Sequence, residues 1–370
     1  MMPTDTGSPA ADERVKTEPF LTRLMKRPEL GAVAGLVLVT LFFVFTASPA
    51  MFSLSGILNI LTPASQLGIL AIAAALLMIG GEFDLSIGSM VAFAGMIFGA
   101  CAVNLHLPLI VAVPVTLLVA GLIGAANGLM VLRTGLPSFI VTLAGLFILR
   151  GLSLVGLKAL TGGSTQLRGV RDVVAPDWLA PLFSGNAFSA LFTYLAEHGI
   201  LDTLPNGDPK VPGIPVEVLW FVALAALATW VLLRTPAGNW IFASGGDANA
   251  AKNSGVPVRK VKIALFMLTA MAAALLAIMQ VIDAGSTDAQ RGTQKEFQAI
   301  IAAVIGGNLL TGGYGSAIGA FFGSIIFGMV VIGLTYTSID QDWFLVFLGG
   351  MLLLAVIFNN AIRKRVTGER

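Results

Sequence analysis

Apolar runs long enough for a helix to cross a bilayer, about 20 residues each, recur from one end of this chain to the other. They lie at roughly 31–47, 66–79, 86–103, 108–132, 138–157, 216–233, 263–282, 297–310, 315–336 and 344–362. The expectation is an all-α polytopic membrane protein of about ten transmembrane helices. The second run begins earlier, near residue 57, if Pro63 only kinks it. The eighth is short for a full crossing and suits a re-entrant or broken element.

Composition removes the soluble classes. Apolar residues make up 56% of the chain and charged residues 11%, against about 25% charged in soluble domains. The net charge is +2, and the basic residues cluster beside apolar runs, which suits orientation in a bilayer and not nucleic-acid binding. The single cysteine, Cys101, lies in an apolar run, so sulfur offers neither a disulfide framework nor a metal or redox pair. His106 and His198 fall in connections. No GxxxxGK[ST] occurs, so nucleotide hydrolysis has no home here and any ATP is a partner's business.

Residues 1–29 are polar, without the apolar core of a signal peptide, and read as a disordered cytoplasmic tail. The sequence at 47–50 faintly resembles a cleavage site, but the stretch before it is too long and many spans follow, so the first span is retained. Residues 30–362 form the transmembrane domain and 363–370 a basic cytoplasmic tail.

With the amino terminus inside, Arg14, Lys16, Arg23, Lys26, Arg27, Arg133, Arg234, Lys252, Arg259, Lys260, Lys262, Arg363, Lys364, Arg365 and Arg370 are cytoplasmic. Only Lys158, Arg168, Arg171, Lys210, Arg291 and Lys295 are outside, an asymmetry of 15 to six that places both termini inside. Trp220, Trp343 and Trp230 fit interfacial belts or ordinary packing equally well.

Two connections carry structure. The outer one, 158–215, is rich in proline and holds a helix-like stretch at 187–198 with Phe188, Leu191, Phe192 and Leu195 on one face. It suits a lip that meets a partner, or an unspecialised surface loop. The cytoplasmic one, 235–262, contains a short helix at 248–254 with Asp247 as N-cap, Gly255 at C′ and Pro257 as the stop. Such an alanine-rich helix fits a groove on another protein, or is a plain turn between spans.

Two apolar runs break at Ile-Gly-Gly and restart with small residues: Gly80-Gly81-Glu82-Phe83-Asp84-Leu85-Ser86-Ile87-Gly88-Ser89, and Gly306-Gly307-Asn308 through Gly312-Gly313-Tyr314-Gly315-Ser316. This is how an internally duplicated transporter marks equivalent points of its halves. Backbone freed at such breaks is satisfied within protein or by cavity water. A carboxylate at mid-bilayer costs about 2.5–3.5 kcal/mol, so Glu82 and Asp84 need water or partners. Asp84 suits the N-cap of a helix starting at Leu85, or contact with a polar solute; Glu82 suits a cytoplasmic interface or the pathway. Arg150, inside the fifth run, is a counter-ion or snorkels. Gly315, Gly319 and Gly323 form a smooth stripe for close helix packing, and Gly95 with Gly99 and Gly124 with Gly128 repeat the spacing.

The segment Gly80 to Ser89 resembles the Gly-Gly-x-Asp-Leu-Ser-x-Gly-Ser signature of permease subunits of ribose, xylose and arabinose type ABC importers. Residues 238–258, with Phe242-Ala243-Ser244-Gly245-Gly246-Asp247, Ala250-Ala251 and Ser254-Gly255-Val256, are similar to that family's coupling segment. Ile305-Gly306-Gly307 through Gly312-Gly313-Tyr314-Gly315-Ser316 matches a third hallmark. The likeness covers roughly 57–365. It departs at Glu82-Phe83, where one apolar residue is commoner, at Asp247 for Asn, at Asn308-Leu309 for a Thr-Ser type pair, and in a longer outer loop.

The resemblance implies a type II importer permease of an inner membrane, with internally repeated halves. It works as a homodimer with two ABC ATPase subunits, which hold ATP and Mg, and a periplasmic sugar-binding protein; this chain itself holds no cofactor. Asp247, Ala250, Ala251, Ser254 and Gly255 would couple to the ATPase. Glu82, Asp84, Ser86 and Asn308 would flank the translocation path, and the glycines named above, with Gly88, would supply breaks and close packing. A monosaccharide or polyol would cross by alternating access. The rivals are an ion-driven secondary transporter, which needs a carboxylate or histidine relay beyond Glu82 and Asp84, a passive channel, for which no charge ring or filter motif is evident, and a branched-chain amino-acid type ABC permease, against which the Asp-Leu-Ser signature argues.

Overall fold

The computed structural model describes residues 28–367. Its long helices are α1 (Pro28–Thr46), α2 (Leu54–Ile79), α3 (Ile87–Gly99, prolonged by a π-helical turn, Ala100–Asn104), α4 (Leu109–Thr134) and α5 (Ser138–Thr161). Short helices α6 (Val170–Val174) and α7 (Ser189–Glu197) lie in the first long connection. Then come α8 (Val216–Arg234), α9 (Pro236–Gly246), α10 (Ala248–Asn253), α11 (Val258–Ala284), α12 (Lys295–Ile305), α13 (Ala317–Gly333) and α14 (Trp343–Thr367). Strand β1 (Gln166–Arg168) pairs antiparallel with β4 (Ser286–Asp288), and β2 (Asn186–Ala187) with β3 (Ile214–Pro215).

Eight helices among the described residues are long and apolar enough to cross a membrane, and α14 adds the shorter apolar stretch Trp343–Ile357. This is an all-α polytopic membrane fold. The run at 297–310 is the exception, as its length suggested. It forms α12, 11 residues and therefore about 16 Å long. Backbone without helical bonds, 289–294, precedes it, so this crossing is broken. Arg150 makes the break tolerable: its Nη1 donates to the carbonyls of Ala289 at 2.7 Å and Arg291 at 3.0 Å. Arg291 in turn donates to the carbonyls of Gln280 and Ser286. Arg150 is thus a backbone clamp as well as a charge facing the Glu296 and Asp288 carboxylates; the counter-ion expectation left out its carbonyl partners, which lie on a segment that periodicity leaves featureless.

Helices α2, α3 and α11 form the interior, while α1 and α5 present apolar side chains such as Phe45, Leu38, Phe147 and Val155 outward. The glycine spacings mark true close approaches. Gly124 and Gly128 lie against the α11 backbone at Phe266, Met267 and Ile263, and Gly319 and Gly323 against the α12 backbone at Gly306 and Ala302. Gly315 belongs to the loop before α13 and packs on Asn308.

Some boundaries move. Helix α3 starts at Ile87, two residues after the expected start, because Asp84 folds the chain into a turn first. Helix α14 continues through Thr367, past the limit that apolarity sets at 362. The expected amino-terminal tail lies outside the described residues but for its last two.

The helices alternate between two ends. One end carries the long connection 158–215, the start of α2 and the end of α13. The other carries the two glycine breaks and the connection 235–257.

Candidate functional site

The site is built around the two Ile-Gly-Gly breaks, which close by the same hydrogen bonds. At the first, Gly80 N–H donates to Leu76, Gly81 N–H to Met78 and Glu82 N–H to Leu77. At the second, Gly306 N–H donates to Ala302, Gly307 N–H to Val304 and Asn308 N–H to Ala303. Each is a Schellman stop with its C′ glycine left-handed, φ 82° at Gly81 and 86° at Gly307. A side chain there would strain the turn, and so the second glycine of each pair is demanded by its own backbone conformation; Gly306 is demanded as well by the main chain of Gly319 lying against it. The duplication seen in sequence is therefore a duplication of backbone geometry.

After the first stop, hydroxyls on α5 catch the freed amides. Phe83 N–H donates to Ser138 Oγ and Leu85 N–H to Thr142 Oγ1, both at 3.0 Å. Asp84 is 4% exposed: its Oδ1 accepts from Ser86 N–H and Ser86 Oγ, its Oδ2 from Thr269 Oγ1. Asn127 Nδ2 donates to Ser86 Oγ. Glu82 pairs with Lys262 of α11 at 2.5 Å. Gly88 leaves room for the Glu296 carboxylate, which lies directly against it. After the second stop, Asn308 takes over: its Nδ2 donates to the Ala303 carbonyl at 2.8 Å, and its Oδ1 accepts from Ser316 N–H at 3.0 Å. Ser316 Oγ then accepts from Gly319 N–H as the N-cap of α13.

A third glycine pair joins the two stops. Gly245 and Gly246 end α9; a Cβ on Gly245 would run into the Ile79 carbonyl and stand 2.7 Å from the Gly313 nitrogen. Gly313 N–H donates to that same Ile79 carbonyl at 2.8 Å. Gly312 sits against both Gly81 and Gly245, and Gly313 against Gly246. Gly81, Gly245 and Gly312–Gly313, from three distant parts of the chain, meet backbone to backbone.

One residue past this junction stands α10. Asp247 Oδ1 accepts from Asn249 N–H at 2.9 Å and Ala250 N–H at 3.0 Å. A Schellman stop closes the other end, with Gly255 N–H on Lys252, Val256 N–H on Ala251 and φ 85° at Gly255. Both end signals act where the sequence places them. The inward face differs from expectation: Ala251 is buried, 6% exposed, whereas Asn249, Ala250, Lys252, Asn253 and Ser254 are exposed. Helix α9 was not expected. Its signal was present in Thr235-Pro236, an N-cap followed by proline at N1, and the Ser244-Gly245-Gly246 end hides its role because contact with other loops has no sequence period.

Comparison with known proteins agrees with this architecture. Residues 56–356 match the family described as branched-chain amino acid transport system / permease component. The chain belongs to this permease family. The permease is 30% identical to the xylose transport system permease protein XylH of Escherichia coli (strain K12), over 90% of this chain and 92% of the relative. It is also 30% identical to the ribose import permease protein RbsC of Escherichia coli (strain K12), over 92% and 96% of the two chains. The RbsC of Haemophilus influenzae gives 30% over 88% and 91%. No solved structure matches. The permease is accordingly a multi-pass membrane protein, and its relatives are permease subunits.

Proposed function

We propose that this permease carries a monosaccharide or related polyol inward as the membrane subunit of an ATP-driven ABC importer. ATP and Mg are held by two copies of a separate ATPase, the solute arrives from a periplasmic binding protein, and a second copy of the chain completes the gate. Both termini are cytoplasmic. The sugar reading rests on the names of the relatives, xylose and ribose.

The observation that carries the coupling assignment is the attachment of α10 to the glycine junction. A rigid helix, capped at both ends and exposed along Asn249, Ala250, Lys252 and Asn253, is joined by Asp247 alone to backbone that touches both repeats. Motion imposed on α10 by a motor therefore reaches the stops after α2 and α12 together. Asp247, Ala250, Ser254 and Gly255 shape and present α10, and Ala251 seats it. Glu82, Asp84, Ser86 and Asn308 flank the path by fixing the loops that move.

ATP-dependent sugar uptake by the assembled complex in proteoliposomes tests this. Ala250→Trp should abolish uptake while membrane insertion and monomer folding persist. Uptake on an ion gradient with no ATPase present would overturn the reading.

A further inference from the structure

The end of the molecule opposite the glycine junction holds a polar cleft. A cavity of about 190 Å³ is lined by Thr62 and Gln66 of α2, Glu217 of α8, Asp283 of α11 and Ser184 and Asn186 of the long connection. It shares Thr62 and Gln66 with a second cavity of about 370 Å³ that reaches Asn59 and Tyr336. Together they match the size of small-molecule sites, about 300–1,000 Å³.

The groups are oriented before any solute arrives. Gln280 Nε2 donates to Gln66 Oε1 and Gln66 Nε2 to Glu217 Oε1, both at 2.9 Å. Ser184 Oγ donates to Asp283 Oδ1 at 2.5 Å. Glu217 is 3% exposed, and its carboxylate lies close enough to that of Asp283 to interact with it directly. Pro63 has no N–H for the carbonyl of Asn59 four residues earlier, so one helical hydrogen bond of α2 is missing beside the cleft. These residues lie in three helices and a loop that an apolar-run reading treats as unrelated.

We infer that this cleft binds a neutral polyhydroxylated solute, a monosaccharide, through the carboxylates of Glu217 and Asp283 and the amide of Gln66, with Tyr336 beside its less polar side. Carboxylate and amide oxygens accept hydrogen bonds from sugar hydroxyls. Among the described residues no Lys or Arg lines either cavity, so an anionic group on a solute would find no cation there. A sugar, which carries hydroxyl donors and no anionic group, fits such a lining. This deepens the importer reading, rests on it, and adds the place where the solute is received.

The test is uptake by the intact complex of four radiolabelled sugars, D-ribose, D-xylose, D-glucose and myo-inositol, with L-leucine alongside. The variants are Gln66→Ala, Asp283→Asn and Glu217→Gln, each normalised to folded permease in the membrane. We expect the wild type to take up at least one of the four and not leucine. KM should rise at least tenfold in Gln66→Ala and Asp283→Asn. A second readout uses Thr62→Cys in a Cys101→Ser background: the transported sugar should slow labelling by a membrane-impermeant maleimide, and leucine should not. Sugar uptake with unchanged KM in every variant and no protection overturns the cleft while leaving the importer reading intact. Leucine uptake, or uptake of none of the four sugars, overturns both.

Discussion

Gly313 donates its backbone N–H to the carbonyl of Ile79 at 2.8 Å, tying the loop after the second glycine stop to the residue that precedes the first. Gly245 lies beside that bond, so a methyl group added there meets main chain and not a yielding side chain. Overpacking of this kind costs about 1–3 kcal/mol. Gly245→Val should reduce both thermal stability in detergent and uptake, whereas Gly246→Ala, where a Cβ meets nothing within 4 Å, should be close to wild type. Equal behaviour of the two variants in a melting assay would refute the junction.

The cap of α10 gives a graded prediction. Asp247→Ala removes the acceptor of two amide hydrogens and should destabilise the helix by about 1 kcal/mol, while Asp247→Ser retains a cap. Hydrogen exchange at Asn249 and Ala250 should quicken in the first variant and stay slow in the second.

Glu82 and Lys262 are largely shielded from solvent, with side chains 11% and 12% exposed. Removing one partner of a buried pair strands the other, at about 3 kcal/mol. Lys262→Met should therefore melt well below wild type, and the exchanged pair, Glu82→Lys with Lys262→Glu, should regain part of the loss. A double-mutant cycle showing no coupling between the two positions would remove the bridge from the account.

Arg150 offers a test of the broken crossing. Methionine in its place leaves the carbonyls of Ala289 and Arg291 without their donor, about 1–3 kcal/mol for each buried group left unpaired. Lysine should restore only part, since it lacks the planar fork of the guanidinium. Exchange at amides 289–294 should rise in the order arginine, lysine, methionine.

What could be read from sequence divides by the range of the interaction. Helices such as α4 and α5 declare themselves by length and apolarity, and the ends of α10 by Asp247 and Gly255, because caps act over three or four residues. The paired glycine stops were legible for the same reason. The burial of Ala251, the clamp made by Arg150 and the meeting of Gln66 with Glu217 depend on residues more than a hundred positions apart or on the side an element turns to its neighbours. No local pattern encodes them. Asp84 shows the middle case: it was expected as the N-cap of a helix starting at Leu85, but its first oxygen closes a turn on Ser86 ahead of that helix, and its second is held by Thr269, 185 residues away.

The antiparallel pairing of Gln166 with Asp288 fastens the long connection to the strand that leads into α12, and α12 ends at Ile305, where the second glycine stop begins. A displacement of that connection would thus travel down one stretch of covalent chain to the opposite end of the molecule, with no relay through the bundle.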